Sequence, residues 1–67
     1  MSTLAGSVVE LDKAVGLGQV ALADGTCYPF HCIEIADGTR DIAVGTTVTF
    51  ELLGKLGRYE AARIASA

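Results

Sequence analysis

Turn-forming residues interrupt this chain so often that little room is left for long helices. Its 67 residues include eight glycines and one proline. Glycine adopts the backbone conformations that tight turns require, so this density indicates many turns joined by short extended segments. We therefore expect a strand-rich fold in a single small domain that spans residues 1–67.

Alternation of apolar and polar residues marks the clearest strands. Val48, Phe50 and Leu52 alternate with polar neighbours, and Val20 and Leu22 follow the same pattern. A period of two residues is typical of a strand that buries one face.

A hairpin is predicted after the second of these segments. Asp24-Gly25 is a strong turn signal because both residue types tolerate positive φ. The next strand should begin near Thr26 and pair antiparallel with the preceding one. Tyr28 and Phe30 share one face of it and are most simply core residues.

The first extended segment, residues 7–12, breaks the alternation. Val8, Val9 and Leu11 cannot all lie on one face of a regular strand. A β-bulge would reconcile the three positions. Residues 13–16 then form a turn, and a polar loop at 36–41 and a second loop at 54–57 separate the later segments.

The last segment, residues 58–65, is ambiguous. It is rich in Ala, Glu and Arg, so its local propensity favours a helix. As a strand it would place Ala62 and Ile64 inward beside Glu60.

Charge argues against a globally basic nucleic-acid binder. The net charge is −3, whereas phosphate recognition usually relies on a basic patch. Three of the basic residues fall in the last thirteen positions, so a local positive patch remains open. The basic residues are Lys13, Arg40, Lys55, Arg58 and Arg63.

Two cysteines are too few for a disulfide framework. On one extended segment Cys27 and Cys32 would lie roughly 16 Å apart, beyond the reach of a disulfide, so we expect free thiols. Cys27, His31 and Cys32 fall short of the four ligands usual for zinc, so we expect no metal and no cofactor. No apolar run is long enough to span a membrane and no secretory signal is visible, so we expect a cytoplasmic protein.

From Gly6 onward the chain resembles the bacterial cold-shock proteins. The order and spacing of five segments carry the resemblance. The family patterns are Gly-x-Val-x-Trp-Phe-Asn, Lys-Gly-Phe-Gly-Phe-Ile, Val-Phe-Val-His-Phe, Leu-x-x-Gly-x-x-Val-x-Phe and Ala-Ala-Asn-Val. They fall here on residues 6–12, 15–20, 28–32, 42–50 and 61–64.

This resemblance implies an all-β fold: a five-stranded antiparallel Greek-key barrel of the OB type, similar to the cold-shock domain. It also implies that the last segment is a strand. The barrel's glycines and core positions match or are conservatively replaced. These are Gly16, Gly18, Val8, Val20, Phe30, Val48 and Ile64.

The family's base-stacking aromatic residues are mostly replaced, while His31 is kept. Val15 replaces a lysine, and Glu10 in the centre of the face would repel phosphate. The aromatic positions carry Glu10, Leu11, Leu17, Gln19, Pro29, Cys32 and Thr39.

The resemblance places candidate nucleic-acid-binding residues along the binding surface, with Tyr59 near its edge. They are Lys13, Leu17, Gln19, Pro29, His31, Lys55 and Arg58. Each has an alternative interpretation: His31 as an exposed residue at a strand end, and the basic residues as solvated loop positions.

Two functions remain open. One is weak binding of single-stranded RNA or DNA, and the other is a barrel repurposed as a protein-protein interaction module through Leu17, Pro29 and Cys32. We predict that the protein is not an enzyme, because Gly16-Leu17-Gly18 leads into a strand and no other catalytic motif is credible. A monomer is expected in preference to a dimer through the same patch.

Overall fold

A computed structural model describes residues 3–36 and 41–67, with Lys55 described by its backbone alone. The described chain forms one five-stranded antiparallel sheet in the order β3-β2-β1-β4-β5. A single turn of 3-10 helix, Cys32–Glu34, follows β3. The strands are β1 (Leu4–Asp12), β2 (Leu17–Ala21), β3 (Cys27–His31), β4 (Thr47–Lys55) and β5 (Arg58–Ser66). The predicted OB-type barrel is confirmed.

The core consists of apolar side chains that point inward from all five strands. The five core positions predicted from the sequence are each 1% exposed or less. Burying such a side chain stabilises the fold by about 1.5–3 kcal/mol. Among the described residues the buried set is Val8, Val20, Phe30, Ile35, Val48, Phe50, Ala61 and Ile64, of which Ile35 follows the 3-10 turn.

The bulge predicted in the first strand is present. Val8 pairs with Val20 and Glu10 pairs with Gln19, so Val9 is the extra residue between them. Val8 is buried while Val9 is exposed. The bulge returns the strand to register and lets Leu11 pack against the core.

The turn between β2 and β3 contains Asp24-Gly25, as predicted. Only Gly25 has positive φ, at 92°. The Gly25 amide donates to the Leu22 carbonyl at 3.0 Å, and the Leu22 amide donates to the Thr26 carbonyl at 2.8 Å. This is a three-residue loop, which needs only one left-handed residue.

Asp24 supports this loop through its side chain. Its Oδ1 accepts a hydrogen bond from the Thr26 amide at 2.9 Å. That backbone bond, together with the Thr26 hydroxyl, holds the pKa of Asp24 below its ordinary value.

The second predicted loop, 54–57, is shorter than expected. Gly54 and Lys55 belong to β4, and Lys55 pairs with Arg58 at the start of β5. Only Leu56 and Gly57 form the turn, with φ values of 46° and 85°. Positive φ at both central residues is the signature of a type I′ turn, whose twist matches the flanking strands.

Residues 58–65 form a strand, so barrel packing overrides their helical propensity. The prediction that Ala62 points inward is wrong, because Ala61 is the buried residue. Thr49 pairs with Ala65 and Glu51 with Ala62, so β5 holds one extra residue there. Arg63, at φ 53°, lies in this bulge and brings both Ala61 and Ile64 to the core side.

The two edge strands, β3 and β5, approach each other where the barrel closes. The Ala36 amide donates to the Ile64 carbonyl at 2.7 Å. Ile35 forms an isolated bridge with Ile64. Within the described ranges, no helix is long and apolar enough to cross a membrane.

Candidate functional site

The outward side chains of β1, β2 and β3 form an open surface, which we call the β1–β3 face. Strand pairing arranges its residues in three rows that run across the strands. The rows are Ser7–Ala21–Cys27, Glu10–Gln19–Pro29 and Asp12–Leu17–His31. Four of the residues predicted from the sequence, Leu17, Gln19, Pro29 and His31, are therefore neighbours on one face.

Packing beneath the face fixes which side chains point outward. Gly18 pairs with Phe30, and a Cβ atom at Gly18 would lie 2.6 Å from the Phe30 ring. The fully buried Phe30 ring thus occupies the space that a side chain at Gly18 would need. Since strand residues alternate between faces, Leu17 and Gln19 must then face solvent.

A shallow groove of about 250 Å³ runs along this face. Its apolar part includes Val15, Leu17 and Pro29, and Glu10 and Asp12 add two carboxylates. Leu17 is 41% exposed. The groove therefore combines negative charge with accessible apolar surface.

Asp12 is held in place by the turn that follows β1. Its Oδ1 accepts hydrogen bonds from the amides of Ala14 at 3.1 Å and Val15 at 3.3 Å. A phosphate placed 4 Å from either carboxylate of the groove would be repelled by about 1 kcal/mol in bulk water, and by more near the protein surface.

His31 lies at the end of its row and contacts the far edge strand. Its Nδ1 is 3.4 Å from Oε1 of Glu60, with the two side chains 49% and 18% exposed. A base stacking on His31 would meet a ring already positioned by Glu60. Local sequence patterns do not predict this contact, because barrel closure joins residues that are 29 positions apart.

Lys13 lies in the turn beside Asp12, next to the groove. Its Nζ is 3.2 Å from Oδ2 of Asp41. Both side chains are largely exposed, and such pairs contribute about 0–1 kcal/mol to stability. Lys13 can therefore exchange this partner for a phosphate at low cost.

Lys55 and Arg58 are not part of the β1–β3 face. They flank the turn of the β4–β5 hairpin, and we call residues 54–59 the β4–β5 tip. Among the described residues, the Arg58 guanidinium has neither an ion pair nor a hydrogen bond. The Lys55 side chain and Thr39 lie outside what the structure describes.

The remaining sequence candidates concern thiols and metals. Cys27 and Cys32 are free, as predicted, and Cys32 lies half-buried against the core. Within residues 3–36 and 41–67, no three His, Cys, Asp or Glu side chains cluster closely enough to hold a metal ion.

Comparison with known proteins identifies the fold. No family model matches the sequence, and no curated protein matches it. Among solved structures, the Drosophila Unr segment described as "CSD456" superposes with a TM-score of 0.82 at 24% sequence identity. The match covers 98% of this chain but only 27% of that structure. The chain thus has the fold of a cold-shock domain.

Proposed function

We propose that this protein binds single-stranded RNA or DNA, with an affinity much lower than is usual for its fold. The observation that carries the proposal is the cold-shock fold with its β1–β3 face open to solvent. Barrels of the OB and cold-shock type bind single strands on this kind of surface. The order and spacing of the sequence motifs support a relation to the bacterial cold-shock proteins.

Low affinity follows from the side chains on that face. No phenyl, phenol or indole ring lies in its three rows. Stacking of a base on an aromatic ring contributes about 1–3 kcal/mol. Five lost platforms at about 1 kcal/mol each would weaken binding several thousand-fold if their effects were additive. Leu17 and His31 supply the remaining contact surface, with Lys13 and Arg58 as sources of positive charge.

A titration at low salt tests the proposal. Isotope-labelled protein is mixed with a seven-nucleotide oligothymidine or oligouridine, and backbone amide shifts are followed. We expect shifts on β2 and β3 with a dissociation constant in the high micromolar to millimolar range. Absence of shifts on these strands at millimolar oligonucleotide would contradict the proposal.

A charge variant provides the matched control. Glu10→Gln removes one groove carboxylate without changing the side-chain shape, so it should tighten oligonucleotide binding. Glu51→Gln removes a carboxylate from β4, outside the face, and should change binding less. Equal effects of the two variants would show that only the overall net charge matters.

A second function is favoured by the groove itself. Carboxylates beside exposed apolar side chains suit a basic segment of a partner protein better than they suit phosphate. In this alternative, the surface around Leu17, Pro29 and Cys32 docks a protein. The double variant Leu17→Glu and Pro29→Lys should then abolish capture of the partner from native lysate, while Val44→Glu should not.

The proposed role is binding without catalysis, by a monomer in the cytoplasm. Sedimentation at high protein concentration tests the monomeric state. A dimer that Leu17→Glu dissociates would assign the same face to self-association instead.

A further inference from the structure

The β4–β5 tip carries an aromatic ring that the core does not use. Among the described residues, Phe30 and Phe50 are fully buried, and Tyr28 packs half-buried against Phe50 with ring centroids 6.3 Å apart. Tyr59 alone of the chain's four aromatic residues is exposed, at 58%. Its ring is thus available to a ligand.

Gly54 supports the Tyr59 ring from the neighbouring strand. The two residues are paired across β4 and β5. A Cβ atom at Gly54 would lie 3.7 Å from Cε1 and 3.9 Å from Cδ1 of Tyr59. The ring therefore rests against the strand at Gly54, which restricts its motion before any ligand binds.

A positively charged residue, Arg58, lines the same concavity as this ring. Arg58 precedes Tyr59, and its guanidinium has no partner among the described residues, whereas Lys13 is paired with Asp41. Arg58 and Tyr59 line one shallow concavity of about 260 Å³ together with Gly54, Leu56 and Gly57. Because successive side chains of a strand leave opposite faces, a single strand that passes over the tip can stack a base on Tyr59 while a neighbouring phosphate meets Arg58.

Leu56 is an unfavourable residue for the turn that it occupies. It is fully exposed and adopts a left-handed backbone conformation, at φ 46°. This conformation costs a residue with a Cβ atom roughly 1–2 kcal/mol, and no burial offsets it here. Strain of this kind at an exposed site points to a contact made with a ligand.

We infer that the Tyr59 ring is a stacking platform for one base, and that the Arg58 guanidinium contacts a neighbouring phosphate of the same single strand. This inference rests on the proposed function, and it assigns the main aromatic contact with the nucleic acid to Tyr59. The strongest stacking contact of the bound nucleic acid then lies at the β4–β5 tip, outside the β1–β3 face.

Variants at the tip test this inference by fluorescence anisotropy with labelled seven-nucleotide oligothymidine and oligouridine. Tyr59→Ala should weaken binding by about 5-fold to 150-fold, the range that corresponds to one stacked base. Tyr59→Phe keeps the ring and should bind within about twofold of the unaltered protein. Val44→Ala, which trims an exposed apolar residue elsewhere, should have no effect.

A salt titration examines Arg58 separately. Each phosphate contact on a single strand contributes about 0.7 to the slope of log affinity against log salt concentration. Arg58→Gln should lower that slope by about this amount. An unchanged slope would remove Arg58 from the site.

The outcomes separate the inference from the proposed function. If the protein binds oligonucleotides and Tyr59→Ala binds equally well, the inference is overturned and the proposed function stands; a tip that contacts a protein instead would give this result. If the unaltered protein shows no binding to millimolar oligonucleotide at low salt, the inference and the proposed function are both overturned. Circular dichroism of Tyr59→Ala establishes that the barrel is intact in each case.

Discussion

The β1–β3 face and the β4–β5 tip differ in how closely each is tied to the core. Apart from the bulge at Val9, the outward residues of the face alternate with inward ones, and Phe30 lies directly beneath it. The tip extends past the buried residues, so its turn contributes nothing to the core. The face carries Glu10 and Asp12 in its groove, while the tip carries Tyr59 and Arg58 in its concavity.

This difference separates the residues that maintain the barrel from the residues to which we assign ligand binding. The inward residues of the face keep the size and spacing that a cold-shock barrel needs, whereas its outward residues include no phenyl, phenol or indole ring. A tip outside the core can acquire an aromatic ring and a cation without repacking anything. The resemblance to the fold therefore resides in buried residues, which are inaccessible from the surface.

The largest contrast between the two regions should come from their glycines. In Gly18→Ala, the new Cβ would lie 2.6 Å from both the Glu10 carbonyl oxygen and the Phe30 ring. Overpacking of this kind costs about 1–3 kcal/mol, out of about 3–10 kcal/mol for a domain of this length. Urea unfolding followed by circular dichroism measures the loss.

Gly54→Ala is the matched control at the tip. Its Cβ would meet nothing closer than 3.7 Å, at the Tyr59 ring. We expect stability within about 0.5 kcal/mol of the unaltered protein, since surface substitutions usually fall in this range. Equal destabilisation by the two alanines would mean that the tip is as closely tied to the core as the face is.

Restoring aromatic rings to the face should have the next largest effect. Leu17→Phe combined with Gln19→Phe supplies two stacking platforms on neighbouring outward positions of β2. At about 1 kcal/mol for each base, oligonucleotide affinity should rise about 30-fold. Leu53→Phe, which adds a ring to β4 outside the face, should give no gain. If the double variant also gives none, a bound strand does not cross the face.

Relief of the strained turn should have a smaller effect. Leu56→Asn gives the Asn-Gly pair that type I′ turns favour, and no buried contact is lost because Leu56 is fully exposed. We expect the free energy of unfolding to rise by about 1 kcal/mol, which raises the Tm by about 4–8 °C in a domain of this size.

Leu53→Asn is the control for that substitution. It makes the same change in the neighbouring strand, where the φ angle is ordinary for a strand, and it should lower the Tm. A lower Tm for Leu56→Asn as well would show that Leu56 makes a stabilising contact in the free protein.

The smallest effect concerns the charge beside the groove. Asp41→Asn weakens the pairing of the Lys13 ammonium, so oligonucleotide affinity at low salt should rise about twofold. The double variant Asp41→Asn with Lys13→Gln should lose this gain. The double variant has the same net charge as the unaltered protein, so a gain that persists in it would come from loss of the Asp41 carboxylate itself and not from release of the Lys13 ammonium.

The sequence predicts most of the barrel because local patterns and core spacing agree. The bulge at Val9 follows from three apolar residues that cannot share one face. The β5 segment shows the limit of such patterns, since composition favours a helix and only resemblance to a family indicates a strand. Regular alternation predicts Ala62 in the core, and this is wrong because an extra residue at Arg63 changes which side chains point inward. Nothing in the local sequence marks that bulge.

The candidate site is harder to predict than the barrel, because part of it depends on contacts between distant segments. Leu17, Gln19, Pro29 and His31 lie together because strand alternation and pairing are regular. The contact between His31 and Glu60 depends on how the barrel closes, which a pattern of two or three residues does not encode. The turn at Leu56 is read as a longer loop because leucine rarely adopts positive φ.

Closure of the barrel has a consequence for the exchange of amide hydrogens with solvent. Strand pairing protects amides throughout the sheet, but β3 and β5 form no ladder with each other. Where these two strands meet, a seam is spanned by the hydrogen bond from the Ala36 amide to the Ile64 carbonyl and by the contact between His31 and Glu60. Parting the seam breaks few hydrogen bonds, so the Ala36 amide should exchange through local opening, well before the amides that join β4 to β5.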